Sequence, residues 1–155
     1  MTSLKLVLPF PSAKLLPNKT LRGNWRSHIG HTKELRYATA LAAKAQKPEC
    51  WAPLVSFGVE LVLYAPDRKR GDRLGLLAAA KPMFDALQPE EIKYDKRGIP
   101  KMEPGAGIIA GDSDKYFTGK FVLHPIRVDK HNPRSEWIIT SGKDVPVDKR
   151  VDYPY

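Results

Sequence analysis

At 155 residues the chain has the length of one ordinary domain, enough to bury a core without disulfide or metal staples. Its 26 Lys and Arg against 17 Asp and Glu leave a net charge of +9, which points to a polyanion such as nucleic acid, although a basic surface kept for solubility has the same composition. Cys50 is the only cysteine, which excludes an internal disulfide and a thiolate metal cage, and no apolar run approaches the roughly 18 residues of a membrane span, so a soluble, unsecreted protein of a reducing cytoplasm is expected.

In chain order, Leu4 to Phe10 reads as a short edge strand in which Leu4, Val7 and Leu8 do not alternate cleanly, closed by Pro9 and Pro11. Ser12 to Gly30 dissolves into turn residues and carries Lys14, Lys19, Arg22 and Arg26 without an acid, with Asn18, Asn24, Trp25, His28 and the following His31 interleaved. It reads as a basic loop, either a phosphate-gripping arm or a solvated loop with Trp25 pinned on the core. Thr32 to Gln46 is predicted helical: Leu35, Ala38, Ala42 and Ala45 follow three-four spacing, Leu41 widens the stripe and Pro48 stops it. Lys33, Arg36 and Lys44 fall off that face, as a solvated side or a second basic edge.

Val55 to Tyr64 alternates most clearly, with Val55, Phe57, Val59, Leu61 and Leu63 on one side and a partly apolar opposite side, so a central strand is expected. A basic turn follows, in which Asp72 sits among Arg68, Lys69, Arg70 and Arg73, and a helix from about Arg73 to Leu87 presents Leu77, Ala80, Phe84 and Leu87. Pro82 inside it calls for a bend or two pieces. Residues 88–107 are charged and rich in Pro and Gly and read as an exposed insertion; Tyr116 to His124 and Glu136 to Thr140 read as strands. The expected organisation is one α+β domain over residues 1–141, a mixed β-sheet covered by two helices, with a mobile tail at 142–155.

Carboxylates are the candidates for chemistry. Asp72 opens the second helix, and in an extended segment Asp112 and Asp114 would fall on one side. Mg²⁺ takes one or two protein carboxylates and completes its shell with water and substrate phosphate, so Asp72 with Asp112 meets the minimum for an ion that activates water against a phosphodiester. The structural alternatives are a helix cap for Asp72 and a turn for Asp112 and Asp114. His28, His31, His124 and His131 are scattered and read as ordinary polar positions.

Several of these stretches, in this order, resemble the RusA-like Holliday junction resolvases common in prophages. The resemblance covers most of the first 125 residues. It is carried by Leu6-Val7-Leu8-Pro9-Phe10-Pro11 with Pro17-Asn18 and Asn24-Trp25; by Arg70-Gly71-Asp72-Arg73-Leu74-Gly75-Leu76 followed by Lys81 and Asp85-Ala86-Leu87; and by Gly111-Asp112 after Gly107-Ile108-Ile109. It implies a homodimer that binds branched DNA and, with Mg²⁺ and no small-molecule cofactor, cuts symmetrically related strands in the cytoplasm of a bacterial or phage-infected cell. Position by position, Asp72 matches the first catalytic aspartate, Asp112 the last and Lys81 the family lysine. Leu74 stands at the second catalytic aspartate, Gly75 at the neighbouring asparagine and Gly111 at the first residue of the later acidic pair, so Asp114 is the replacement candidate for a third metal ligand. Lys14, Lys19, Arg22, Arg26, Arg68, Lys69, Arg70 and Arg73 are the candidate DNA contacts. Two functions follow: a Mg²⁺-dependent junction endonuclease, or a junction-binding or phage regulatory protein without the nuclease chemistry. A basic RNA-binding domain is the third.

Overall fold

The structure, a computed structural model, describes residues 2–11, 25–68 and 73–142, and excludes the side chains of residues 25–28. Candidate contacts Lys14, Lys19, Arg22, Lys69 and Arg70, the carboxylate Asp72 and the tail from residue 143 therefore lie outside the described residues, and the Arg26 side chain with them.

The sheet begins with β1 (Ser3–Leu8), in which Leu4, Leu6 and Leu8 are buried and the residues between them exposed. The alternation is clean once Leu6, not Val7, is counted on the core side. The expected central strand is β2 (Phe57–Ala65), whose every second residue from Phe57 to Ala65 is buried. Val55 lies ahead of it and is exposed. Three later strands complete the sheet: β5 (Phe121–Leu123), β6 (Arg127–Val128) and β7 (Arg134–Ser141).

The order is β1-β7-β2-β5, with β6 also on β2; β7 is antiparallel to both β1 and β2, whereas β5 and β6 are parallel to β2. The sheet is thus mixed, and register aligns Leu6, Trp137, Leu61 and Leu123 in one row across four strands. Trp137 is fully buried and donates its indole N–H to Ser135 Oγ at 2.8 Å, and the Ser135 hydroxyl in turn donates to Pro9 O at 2.7 Å. Both buried polar groups are therefore satisfied, as burial requires. β1 sits at the edge, where its outward backbone groups would be left open. The Gln46 amide closes the gap at Val7, accepting from its N–H at 2.8 Å and donating to its carbonyl at 2.7 Å.

The helices lie on the core face. The first, α1 (Trp25–Gln46), starts well before the expected Thr32, and residues 25–30, read as loop, are helical. No proline occurs between Pro17 and Pro48, and one glycine costs a helix only about 1 kcal/mol. Its buried face is Leu35, Thr39, Ala40 and Ala43, while Ala38, Leu41 and Ala45 of the expected stripe are exposed. The second helix is indeed broken, into α2 (Arg73–Ala79) and α3 (Lys81–Leu87), with Pro82 in the first turn of α3 where its missing N–H costs nothing. Leu76, Ala79, Met83 and Leu87 enter the core, and Phe84 packs edge-on against Trp137 with ring centroids 4.7 Å apart.

Residues 89–102 are exposed and form a hairpin, β3 (Glu91–Tyr94) against β4 (Pro100–Glu103). Asp95 closes its turn, its carboxylate accepting from the N–H of Arg97 at 2.7 Å and of Ile99 at 2.9 Å, with Gly98 at φ +78°. The strand expected from Tyr116 is limited to Phe121–Leu123, because residues 114–116 turn and Phe117 instead packs on Phe57 at 4.9 Å. Among the described residues no helix is long and apolar enough to cross a membrane.

Candidate functional site

Two segments converge beside α3. The first is α3 itself, fixed on the sheet by Phe84, so that Lys81 and Asp85 lie one turn apart and pair at 2.9 Å, the i,i+4 arrangement of a helix surface. The second is the chain returning from the hairpin. Ile108 and Ile109 are buried and donate their N–H groups to Leu87 O at 2.8 and 3.1 Å. Leu54 brackets the same stretch, donating to Ile108 O at 3.0 Å and accepting from Ala110 N at 2.9 Å. That clamp delivers Asp112 to α3, where its Oδ2 accepts a hydrogen bond from Lys81 Nζ.

One ammonium thus bridges two half-buried carboxylates, Asp85 and Asp112, from opposite sides of the hairpin insertion. Burial by itself would lower the Lys81 pKa, but the hydrogen bonds to Asp112 and Asp85 outweigh it and raise the value above the ordinary 10.5. Lys81 is therefore a fixed cation at neutral pH, suited to a phosphate or a developing oxyanion and unsuited to act as a general base. Asp85 was not among the residues singled out for chemistry; its i,i+4 spacing from Lys81 was the available signal.

Gly111, next to Asp112, is buried against the Tyr116 ring, which lies 2.7 Å from where a Cβ would stand. Leu74 is 77 % exposed, and with Leu77, Ala78, Phe84 and Phe121 it lines an open apolar cleft of about 630 Å³ that reaches Lys81. Arg73 is exposed at the start of α2 and donates from its guanidinium to Leu123 O at 3.3 Å, and Arg68 is exposed where β2 ends. Asp114 is exposed in a turn, with the N–H groups of Tyr116 and Phe117 both directed to Ser113 O at 2.9 Å. The extended backbone that would have put Asp112 and Asp114 on one side is not formed.

Among the described residues no three His, Cys, Asp or Glu side chains form a group able to hold a metal ion. Asp85 and Asp112 still provide the one or two carboxylates that a Mg²⁺ ion takes from protein, so the donor chemistry fits a water-rich ion bound jointly with phosphate. No protein-family model matches the chain, and a search of curated proteins returns no match.

Proposed function

We propose that this chain is a RusA-like protein that binds four-way DNA junctions as a homodimer and cleaves them with Mg²⁺. The observation that carries the reading is the meeting of Lys81 and Asp112. They come from separate stretches of the resemblance, 31 residues apart, and it assigns both to one site. The mixed α+β sheet and the net charge of +9 agree with it.

In this reading Asp72 and Asp112 would hold the metal, with Asp85 as the further carboxylate, and a bound ion would supply Lewis-acid stabilisation of the phosphodiester and an activated water. Lys81 keeps Asp112 oriented until DNA arrives, then offers its ammonium to the scissile phosphate. Arg68 and Arg73, with the basic residues of segments 14–26 and 69–70, hold the flanking phosphates, so affinity falls steeply with salt.

Leu74 favours a second reading. An exposed apolar side chain at the position of the second catalytic aspartate contributes no ligand, and a protein that grips junctions without cutting them follows from the same surface.

The test is a gel assay on a labelled four-way junction and a linear duplex of matching sequence, with and without Mg²⁺. Symmetric nicks lost in Asp72→Asn and Asp112→Asn support the nuclease. Junction-selective binding without nicks in Mg²⁺ or Mn²⁺ supports the binder, and equal affinity for junction and duplex removes both.

A further inference from the structure

The charge of the β3–β4 hairpin differs from that of the rest of the chain. Residues 88–107 carry Glu90, Glu91, Asp95 and Glu103 against Lys93, Lys96, Arg97 and Lys101, so the insertion is neutral in a chain of net charge +9. A phosphate grip needs an excess of cations, whereas a second copy of the chain can approach a neutral segment without strong repulsion. β4 is the strand turned to the body of the protein: Arg36 of α1 pairs with Glu103 at 3.5 Å and donates to Pro104 O at 3.0 Å. β3 is the outer strand, exposed at all four residues and paired, among the described strands, with β4 alone.

The backbone of β3 is set for a further strand. Asp95 donates its N–H to Ile99 O at 3.1 Å, and direction alternates along a strand, so Glu91 and Lys93 turn their backbone groups to β4 while Ile92 and Tyr94 turn theirs outward. Pro100, which has no N–H, falls opposite Tyr94, where none is needed. The side chains leave charge unanswered. Register sets Lys93 opposite Lys101 and Glu91 opposite Glu103, two rungs of like charge, and among the described residues neither Glu91 nor Lys93 has an ion pair. On the other face Ile92 stands opposite Met102, and Ile92 and Tyr94 remain 53 % and 69 % exposed.

We propose that β3 pairs antiparallel with β3 of a second copy across a two-fold axis at Ile92, joining two hairpins into one four-stranded ribbon. The charges select this register. A centre at Glu91 or Lys93 sets that charge against itself, and a centre at Tyr94 leaves half of the pairing in the turn. A centre at Ile92 sets Glu91 of each copy against Lys93 of the other and lets the two Ile92 residues exchange both N–H···O bonds, the self-complementary contact that a two-fold axis demands. The two Ile92 side chains then meet on the apolar face. The inference rests on the homodimer reading and names the surface that makes it.

The experiment measures molar mass by light scattering over a concentration series and treats Ile92→Cys, in a Cys50→Ser background because Cys50 is exposed, with a short bis-maleimide. Wild type should be a dimer, and Ile92→Cys should be captured as a covalent dimer, whereas Val55→Cys, exposed outside the hairpin, should not. Glu91→Lys and Lys93→Glu should each raise the dimer dissociation constant about tenfold, since the axis repeats each change, and Glu91→Lys/Lys93→Glu should restore it. Each single change turns a like-charge rung of the hairpin into one of opposite charge, so its thermal melt should lie no lower than that of wild type. Single losses that the double exchange does not restore overturn the register. A wild-type dimer that both single variants leave unchanged, with Ile92→Cys not captured, overturns the β3 contact and leaves the homodimer reading standing. Wild type that stays monomeric overturns the contact and the homodimer together, and the junction gel assay then judges DNA binding on its own.

Discussion

The ring of Tyr116 occupies the space a side chain at Gly111 would need, 2.7 Å from the ideal Cβ position. An aspartate cannot be restored at residue 111 without displacing an aromatic ring in a packed setting. Gly111→Asp should therefore lose about 1–3 kcal/mol of stability in urea unfolding. Leu74→Asp, at a position 77 % exposed in the first turn of α2, should leave stability unchanged or slightly raised, since a carboxylate suits a helix N-terminus. If the nuclease reading holds, Leu74→Asp is also the variant in which Mg²⁺-dependent nicking of a junction should rise.

A second expectation concerns Gly30, inside α1, where an added Cβ meets nothing within 4 Å. Gly30→Ala should stabilise the protein by about 0.5–1 kcal/mol by restricting the unfolded chain and favouring the helix. A thermal melt should register this as a rise of about 2–4 °C per kcal/mol, and a fall would show that the helix does not run through residue 30.

Thr39 is fully buried on the same helix, and its hydroxyl has no hydrogen-bond partner. Valine has the same shape without the unpaired group. Thr39→Val should raise stability by about 1 kcal/mol, measured as a shifted urea midpoint at constant slope.

Acid should weaken the open face of the sheet through Arg134. Its guanidinium donates to Glu136 and Asp129 at 2.8 Å each and lies 3.9 Å from the Tyr64 ring centre. The Asp129 carboxyl is held below its ordinary 3.8 chiefly by the Arg134 hydrogen bond. Burial would raise Glu136, but hydrogen bonds from Arg134 and Lys5 win and hold it below its ordinary 4.5. Because both folded values are depressed, the stabilisation is present above the unfolded values and is lost as pH falls through the folded ones. Arg134→Met should be less stable than wild type at neutral pH, with the gap narrowing as pH drops below 4.5. A gap that stays constant over that range would assign the loss to packing instead.

The sequence disclosed the parts of the fold whose side chains differ sharply between faces. Phe57 to Ala65 alternates bulky core residues with smaller or polar ones, and Pro82 marks the break between α2 and α3. It misled where the contrast is weak: Ala38, Ala42, Ala43 and Ala45 carry the same side chain and the buried Thr39 is polar, so the buried stripe of α1 is set by what packs on it and not by its own pattern. Tyr116 and Phe117 look like strand residues but belong to a turn that covers Phe57. Lys81 and Asp112 could be named, because each sits in a recognisable stretch; that one ammonium joins Asp112 to Asp85 depends on the Ile108–Leu87 clamp, a tertiary contact with no local signature.

The placement of β7 between β1 and β2 has a consequence for biosynthesis. β1 and β2 do not pair with each other; among the described strands β1 pairs with Arg134–Ser141 alone, where the register joins Ser3 to Thr140, whereas β2 also takes β5 and β6. A growing chain on the ribosome therefore holds β1 unpaired, with no Trp137 beside it, until residues 134–141 have been made. Closure of such a long loop comes late and slowly, leaving the nascent chain dependent on whatever shields exposed strand edges in the meantime.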